Sequence, residues 1–188
     1  MDPLDAATWP VLTERLSIRR AQADDAETTW RWRKLPEVGE WITRAPQDYE
    51  AYRAHFVEPH RMHDLLIVEL DGEPIGDIML KIQDGWTQAE VAEQGKGVQA
   101  ELGWTFDPAF HGRGYATEAV RGAIGVCFEQ LGLLRVHAGC FAANEPSWRL
   151  MERLGMRREE YSRKTGLHRS GVWMDGMNYG LLAEEWNG

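Results

Sequence analysis

The apolar positions of this chain follow two periods. Near its middle, Leu102, Trp104 and Phe106 alternate with Glu101, Gly103 and Thr105. That is the period of a strand whose two faces differ in polarity. Asp107-Pro108 comes next, and a proline has no N–H for a ladder, so the strand is expected to stop there. From Ala116 the period lengthens. Ala116, Ala119, Val120, Ala123, Ile124, Cys127 and Leu131 fall on one helical face, and Gly132 just beyond Leu131 is a helix stop. Between the two patterns lie Gly112 and Gly114, which permit backbone conformations closed to other residues.

The rest of the chain repeats these periods. A strand is predicted over 11–19, with Leu16 and Ile18 facing inward. Asp24, with Glu27 three positions on, predicts a helix opened by a capping box. It carries Trp30, Arg31, Trp32 and Arg33 and stops near Pro36; Trp41 and Ile42 fall in a connector. Gln47-Asp48 opens a second helix through Tyr49, Tyr52 and Phe56, ended by Pro59. Strands over 64–70 and 74–82 are joined by Asp71-Gly72-Glu73. The polar segment 83–98, with Asp84, Glu90 and Glu93, is a long loop, either a lid or a plain surface excursion. A strand over 134–141 puts Val136, Ala138 and Cys140 on one face. Asn144 and Ser147 start a short helix with Pro146 in its first turn, Trp148, Met151 and Leu154 on its buried side, and Gly155 as its cap. Strands over 156–163 and 172–181 follow, joined by a basic loop at 164–169. The strand ending at Phe106 and the strand ending at Phe141 are linked by a helical crossover, which requires them to be parallel in one sheet. The fold class is therefore mixed α+β.

A glycine-rich loop that opens a helix is suited to anions. The unpaired N–H groups of the first turn and the positive end of the helix dipole both point at the ligand. The loop is neither Gly-x-x-x-x-Gly-Lys-Ser/Thr nor Gly-x-Gly-x-x-Gly with an acidic residue about twenty positions on. Taken alone it also reads as an ordinary tight turn.

Three motifs in order resolve this. His111-Gly-Arg-Gly-Tyr-Ala116 resembles the Gln/Arg-x-x-Gly-x-Gly/Ala pyrophosphate loop of the GNAT family of acetyl-CoA-dependent N-acetyltransferases. The segment from Asn144-Glu-Pro-Ser147 to Leu154-Gly155-Met156 is similar to the family's next segment. Leu12-Thr-Glu-Arg15-Leu16-Ser-Ile-Arg19 looks like the opening strand of the RimJ/RimL branch. The resemblance covers nearly all of the chain and implies a single GNAT-like domain over 1–188. It implies a strongly bent, mostly antiparallel sheet with a splayed parallel pair, flanked by helices. It also implies an acetyl-CoA-dependent transfer to a primary amine, by direct attack in a ternary complex.

Composition narrows the partners. At 188 residues the chain is long enough for one well-buried core. Its formal net charge is −9, which argues against nucleic acid as a general partner. No apolar run approaches the roughly twenty residues of a membrane span, and the opening Met-Asp-Pro-Leu-Asp lacks the regions of a signal peptide. Cys127 and Cys140 at core-like positions suit buried thiols in a reducing, cytoplasmic compartment. His55, His60 and His63 span a helix end and a turn, so their rings need not converge, and no metal is expected. A homodimer is left open.

The resemblance assigns roles residue by residue. The CoA pyrophosphate is expected on the N–H groups of Gly112, Arg113, Gly114, Tyr115, Ala116 and Thr117. His111 stands where the family has Gln or Arg. The backbone of Trp104, Thr105 and Phe106 is expected to pair with the amide-bearing pantetheine arm like an added strand. Asn144 can hold the same arm or cap its helix. Glu101 is the candidate base, or else a structural carboxylate paired to an arginine. Many family members place a tyrosine acid seven residues after the Asn; here that residue is Met151. Ser147 is the candidate donor to the departing thiolate or the carbonyl, or else a first-turn capping residue. Trp30, Trp41, Tyr49 and Tyr52 border the acceptor side by the same resemblance, or are core rings. The acceptor is a protein N-terminus or a small amine such as an aminoglycoside or polyamine. The missing tyrosine at Met151 keeps a second reading open, a non-catalytic acyl-CoA-binding or regulatory module.

Overall fold

A computed structural model describes residues 3–188. Eight strands appear: β1 (Val11–Leu12), β2 (Leu16–Arg20), β3 (Leu65–Leu70), β4 (Glu73–Gln83), β5 (Gln99–Phe106), β6 (Arg135–Phe141), β7 (Arg157–Leu167) and β8 (Trp173–Leu182). Six α-helices accompany them: α1 (Asp25–Arg33), α2 (Pro36–Gly39), α3 (Tyr49–Phe56), α4 (Pro59–His63), α5 (Tyr115–Gly125) and α6 (Glu145–Arg153). The sheet order is β1-β2-β3-β4-β5-β6-β8-β7. The strands 5 and 6 are parallel, and every other pairing described is antiparallel. The mixed α+β class with one parallel pair is thus as the patterns predict.

The chain divides into two compact units. One comprises Thr8–Met79 and Trp104–Gly122. Here β2 and β3 pair from Leu16↔Leu70 to Arg20↔Leu66. The tight turn from β3 to β4 uses Asp71 at φ 51° and Gly72 at φ 81°, the left-handed pair that matches strand twist. Leu66, Ile67, Val68, Ile75 and Ile78 are fully buried. The same unit holds the apolar cluster of Ala26, Tyr52, Phe56 and Leu65 from α1, α3 and β3. The other unit comprises, among the described residues, 3–7, Leu80–Gly103 and Ala123–Gly188. In it β8 pairs with both β6 and β7, and Ala123, Ile124, Cys127, Val136, Ala138 and Met151 are buried.

Several local expectations are corrected. The 11–19 strand is two short strands, because Thr13 to Arg15 turn out of the ladder to bind Glu118. The first helix has no side-chain cap at Asp24. Asp25 instead turns back to accept from the Gln22 N–H (2.7 Å) and pairs with Arg19, so there is no capping box. Asp48 does cap α3, accepting from the Ala51 N–H at 2.8 Å. The short helices α2 and α4, each begun by a proline at its first turn, went unpredicted because neither is long enough to show a period. The crossover helix changes to π-helical turns over Val126–Gln130. The basic loop expected at 164–169 is largely strand. Its β7 ladder slips in register between Ser162 and Gly166, with Lys164 at φ 48°. The Lys164 N–H then bonds the Asp175 carboxylate (2.8 Å) in place of a ladder carbonyl.

Candidate active site

The glycine loop is built entirely within the first unit. Gly76 lacks a side chain where the Phe106 ring lies; a Cβ there would overlap the ring. Phe106 is therefore seated against β4, and the Asp107 N–H bonds Ile75 O at 2.9 Å. The Asp107 carboxylate caps the following turn through the Ala109 N–H (2.9 Å), and His111 Nε2 donates to Phe106 O at 3.2 Å. His111 thus folds back on the strand end; it is a brace of the loop. Gly112 at φ 75° and Gly114 at φ 82° carry the chain through the left-handed region into α5. Among the described residues the N–H groups of Gly112, Arg113 and Gly114 have no acceptor in the chain. Unpaired donors at the start of an eleven-residue helix are a candidate anion cradle.

A second group of residues, not foreseen from sequence, holds this cradle. Glu118, in the first turn of α5, accepts from Thr13 Oγ1 (2.6 Å), from the Arg15 N–H (2.8 Å) and from Arg15 Nε (2.7 Å). Arg15 Nη1 donates to Arg113 O at 3.1 Å, and its guanidinium lies 4.6 Å above the Tyr115 ring. Burial pushes the Glu118 carboxyl up, but the donors from Thr13 and Arg15 outweigh that and hold it below its ordinary range. Arg15 thereby places a cation beside the open N–H groups. The one sequence signal was the break in alternation at Thr13 to Arg15.

The second unit holds the other candidates. Glu101 and His137 are register partners in the parallel pair, so their side chains leave the same face. Gln83 bridges them. His137 Nε2 donates to Gln83 Oε1 (3.2 Å), and Gln83 Nε2 donates to Glu101 Oε2 (2.8 Å). Burial, with Arg135 nearby, pushes the His137 imidazole below its ordinary value, against the pull of Glu101 and Glu159. It is neutral at pH 7. Glu101 is thus anchored by a neutral amide, not by an arginine, and through one oxygen. The β5–β6 ladder pairs Gln99, Ala100 and Glu101 with Arg135, Val136 and His137 and goes no further.

Asn144 begins α6, yet its side chain makes no capping bond; its carbonyl accepts from the Ser147 N–H at 3.2 Å. Ser147 is half-buried and lies near enough to the Cys140 thiol to oppose the effect of burial on it. Burial prevails and pushes that thiol up, so Cys140 is protonated at neutral pH. Burial pushes the Cys127 thiol up to about 12. Neither thiol is an activated nucleophile. Met151 is fully buried.

The acceptor-side candidates divide. Trp30 and Tyr49 are half-buried, with rings 6.0 Å apart. Tyr52 is core, 4 % exposed, with its hydroxyl 2.7 Å from Thr29 Oγ1. Trp41 is half-buried in the connector after α2. Trp104 is half-buried, and Thr105 and Phe106 are buried, so what β5 can offer a ligand here is backbone.

Residues 15–157 match the family model described as an acetyltransferase (GNAT) domain. YdaF of Bacillus subtilis, a putative ribosomal N-acetyltransferase, is 30% identical over 187 residues, spanning 94% of this chain and 96% of that protein. YnaD, an uncharacterized N-acetyltransferase of the same organism, is 39% identical over 87 residues. That match spans 46% of this chain and 51%, about half, of YnaD. Among solved structures, a GNAT-family acetyltransferase from Bacillus anthracis superposes with a TM-score of 0.78 at 30% identity, covering 93% of this chain and 99% of that one. The glycine loop that opens α5, the single parallel strand pair and a family match over most of the chain agree: this protein is an acetyltransferase enzyme of the GNAT family.

Proposed function

We propose that the protein is an acetyl-CoA-dependent N-acetyltransferase that acts on a primary amine, the acyl group moving within a ternary complex. The observation that carries this reading is the braced cradle: left-handed Gly112 and Gly114 with unpaired N–H groups at the start of α5, and Arg15 locked beside them by Glu118. The chemistry of those donors fits a pyrophosphate. In this reading the amides of Gly112, Arg113, Gly114, Tyr115, Ala116 and Thr117 hold the phosphates, and the backbone of Trp104, Thr105 and Phe106 receives the pantetheine arm. The Asn144 amide, unused as a cap, holds the same arm. Acetyl-CoA supplies the activated acyl group as a thioester.

The chain's own residues then manage protons. Glu101, steadied through Oε2 by Gln83, takes a proton from the acceptor ammonium, directly or through water. Ser147 Oγ–H can donate where negative charge develops on oxygen or sulfur. The unpaired thiols support a reducing compartment, the cytoplasm. The branch resemblance and YdaF support a protein N-terminal amine; the negative net charge supports a small polyamine or aminoglycoside. The test is acetyl-dependent CoA release across peptides, aminoglycosides and polyamines, beside calorimetry with acetyl-CoA. Release with one class of amine and saturable acetyl-CoA binding are expected. Binding without turnover on any amine would leave only an acyl-CoA-binding module.

A further inference from the structure

Asp77 of β4 is 2 % exposed, and its carboxylate is fully used. Trp32 Nε1 and Arg33 Nε each donate to Oδ2 at 3.2 Å, and Arg33 Nη2 pairs with Oδ1. A second guanidinium lies within electrostatic reach of the same group. Arg61, on α4, is half-buried, its side chain makes no ion pair or hydrogen bond among the described residues, and its Nε is shut off from water without an acceptor. Burial first, and then the like charge of Arg33, push it below the ordinary arginine value. The next carboxylate, Glu58, is taken by His55 Nδ1 at 2.9 Å and by His60 Nε2 at 3.5 Å. Two arginines therefore share one carboxylate, and that carboxylate is spent on one of them. Tyr52, whose hydroxyl is bonded to Thr29 Oγ1 at 2.7 Å, lies within electrostatic reach of these charges. Its ring lies 5.5 Å from that of Trp30, which with Tyr49 forms the half-exposed side of the aromatic group.

A guanidinium removed from water without a counter-charge is costly, and the cost is recovered by an anion that can accept its parallel N–H bonds. A carboxylate has that fork-matching geometry. An aromatic surface beside it suits an acid carried on an apolar body. We propose that Arg61 is a binding residue for a carboxylate on the acceptor, with Trp30 and Tyr49 alongside, so that the acceptor is an amine that also carries an acid group, as in an amino acid or an acidic peptide, and is not a polyamine. That the ligand is the acceptor rests on the transferase reading; the carboxylate site does not. The chain's negative net charge points the other way, but it is a sum over the whole surface, whereas this group is locally cationic.

The probes are 3-phenylpropanoate and its neutral amide, titrated by calorimetry into wild type, Arg61→Gln and Arg61→Lys, each checked by a melting curve. Wild type is expected to bind the acid at least tenfold more tightly than the amide. Arg61→Gln should erase that preference, and Arg61→Lys, which keeps the charge but not the fork, should retain part of it. Equal affinity for acid and amide in wild type, or an unchanged preference in Arg61→Gln, overturns the proposal; the wild-type comparison decides even if the glutamine variant does not fold. CoA release is measured in parallel with amines offered as free acids and as amides. Equal turnover of both forms sinks the carboxylate site and leaves the transferase standing. Carboxylate binding with no release from any amine does the reverse.

Discussion

Glu118 shows how much one side chain can carry. A single carboxylate organises Thr13, Arg15 and, through Arg15, the carbonyl of Arg113. Replacing it with glutamine removes the charge and keeps the size. The expected result is a loss of stability of about 1–2 kcal/mol, the scale of charge-assisted bonds, and weaker acetyl-CoA binding by calorimetry. The pH dependence follows from the lowered carboxyl. A carboxyl depressed by folding gives stability that is complete above its unfolded pKa and is lost as pH falls through the folded value. Wild type should lose this increment on acidification into the acid range, and Glu118→Gln should not; melting curves at successive pH values decide. Ser147 and Glu101 should fail differently. Ser147→Ala is expected to lower kcat by roughly ten- to a hundredfold with acetyl-CoA binding nearly intact. Glu101→Gln should lose most at low pH, where the amine is charged, and recover as pH rises. A pH-independent loss with a lowered melting temperature would make Glu101 structural.

At the scale of elements, two glycines carry different burdens. Gly114→Val forces a β-branched residue to φ 82° beside the cradle, with Arg15 Nη2 only 3.5 Å from the new Cβ. The fold should survive and acetyl-CoA binding should be abolished; unchanged affinity by calorimetry would place the cradle elsewhere. Gly76→Ala should instead destabilise by about 1–3 kcal/mol, because its Cβ would meet the Phe106 ring and the core must shift. Elements with a long period were legible: the buried face of α5 and the alternation of β5 followed from spacing alone. What escaped was set by partners far away in sequence. The break after Leu12 answers to Glu118, the first cap belongs to Asp25 because Arg19 draws it in, and β7 continues past Arg163 because Asp175 replaces a ladder carbonyl. The spacing of the loop glycines pointed to a candidate anion site, but the Gln83 bridge could not be seen before the strands were in register.

For the whole molecule, β4 and β5 each pass through both compact units, and we read the 188 residues as one domain. That reading expects coincident unfolding transitions by far-UV circular dichroism and by tryptophan fluorescence; two separated transitions would make the units independent. Saturation with acetyl-CoA at a hundred times its Kd should add about 2.7 kcal/mol to stability if only the folded chain binds it. The clamp on the glycine loop has a consequence in time. Thr13 and Arg15 stand 105 and 103 positions from Glu118, so these bonds close one of the largest loops the chain can make. Contacts that distant pay their closure entropy before they return anything. During synthesis Thr13 and Arg15 must wait for their partner until residue 118 has left the ribosome. The clamp should therefore form on the native side of the folding barrier: Glu118→Gln should hasten unfolding and leave the refolding rate almost untouched.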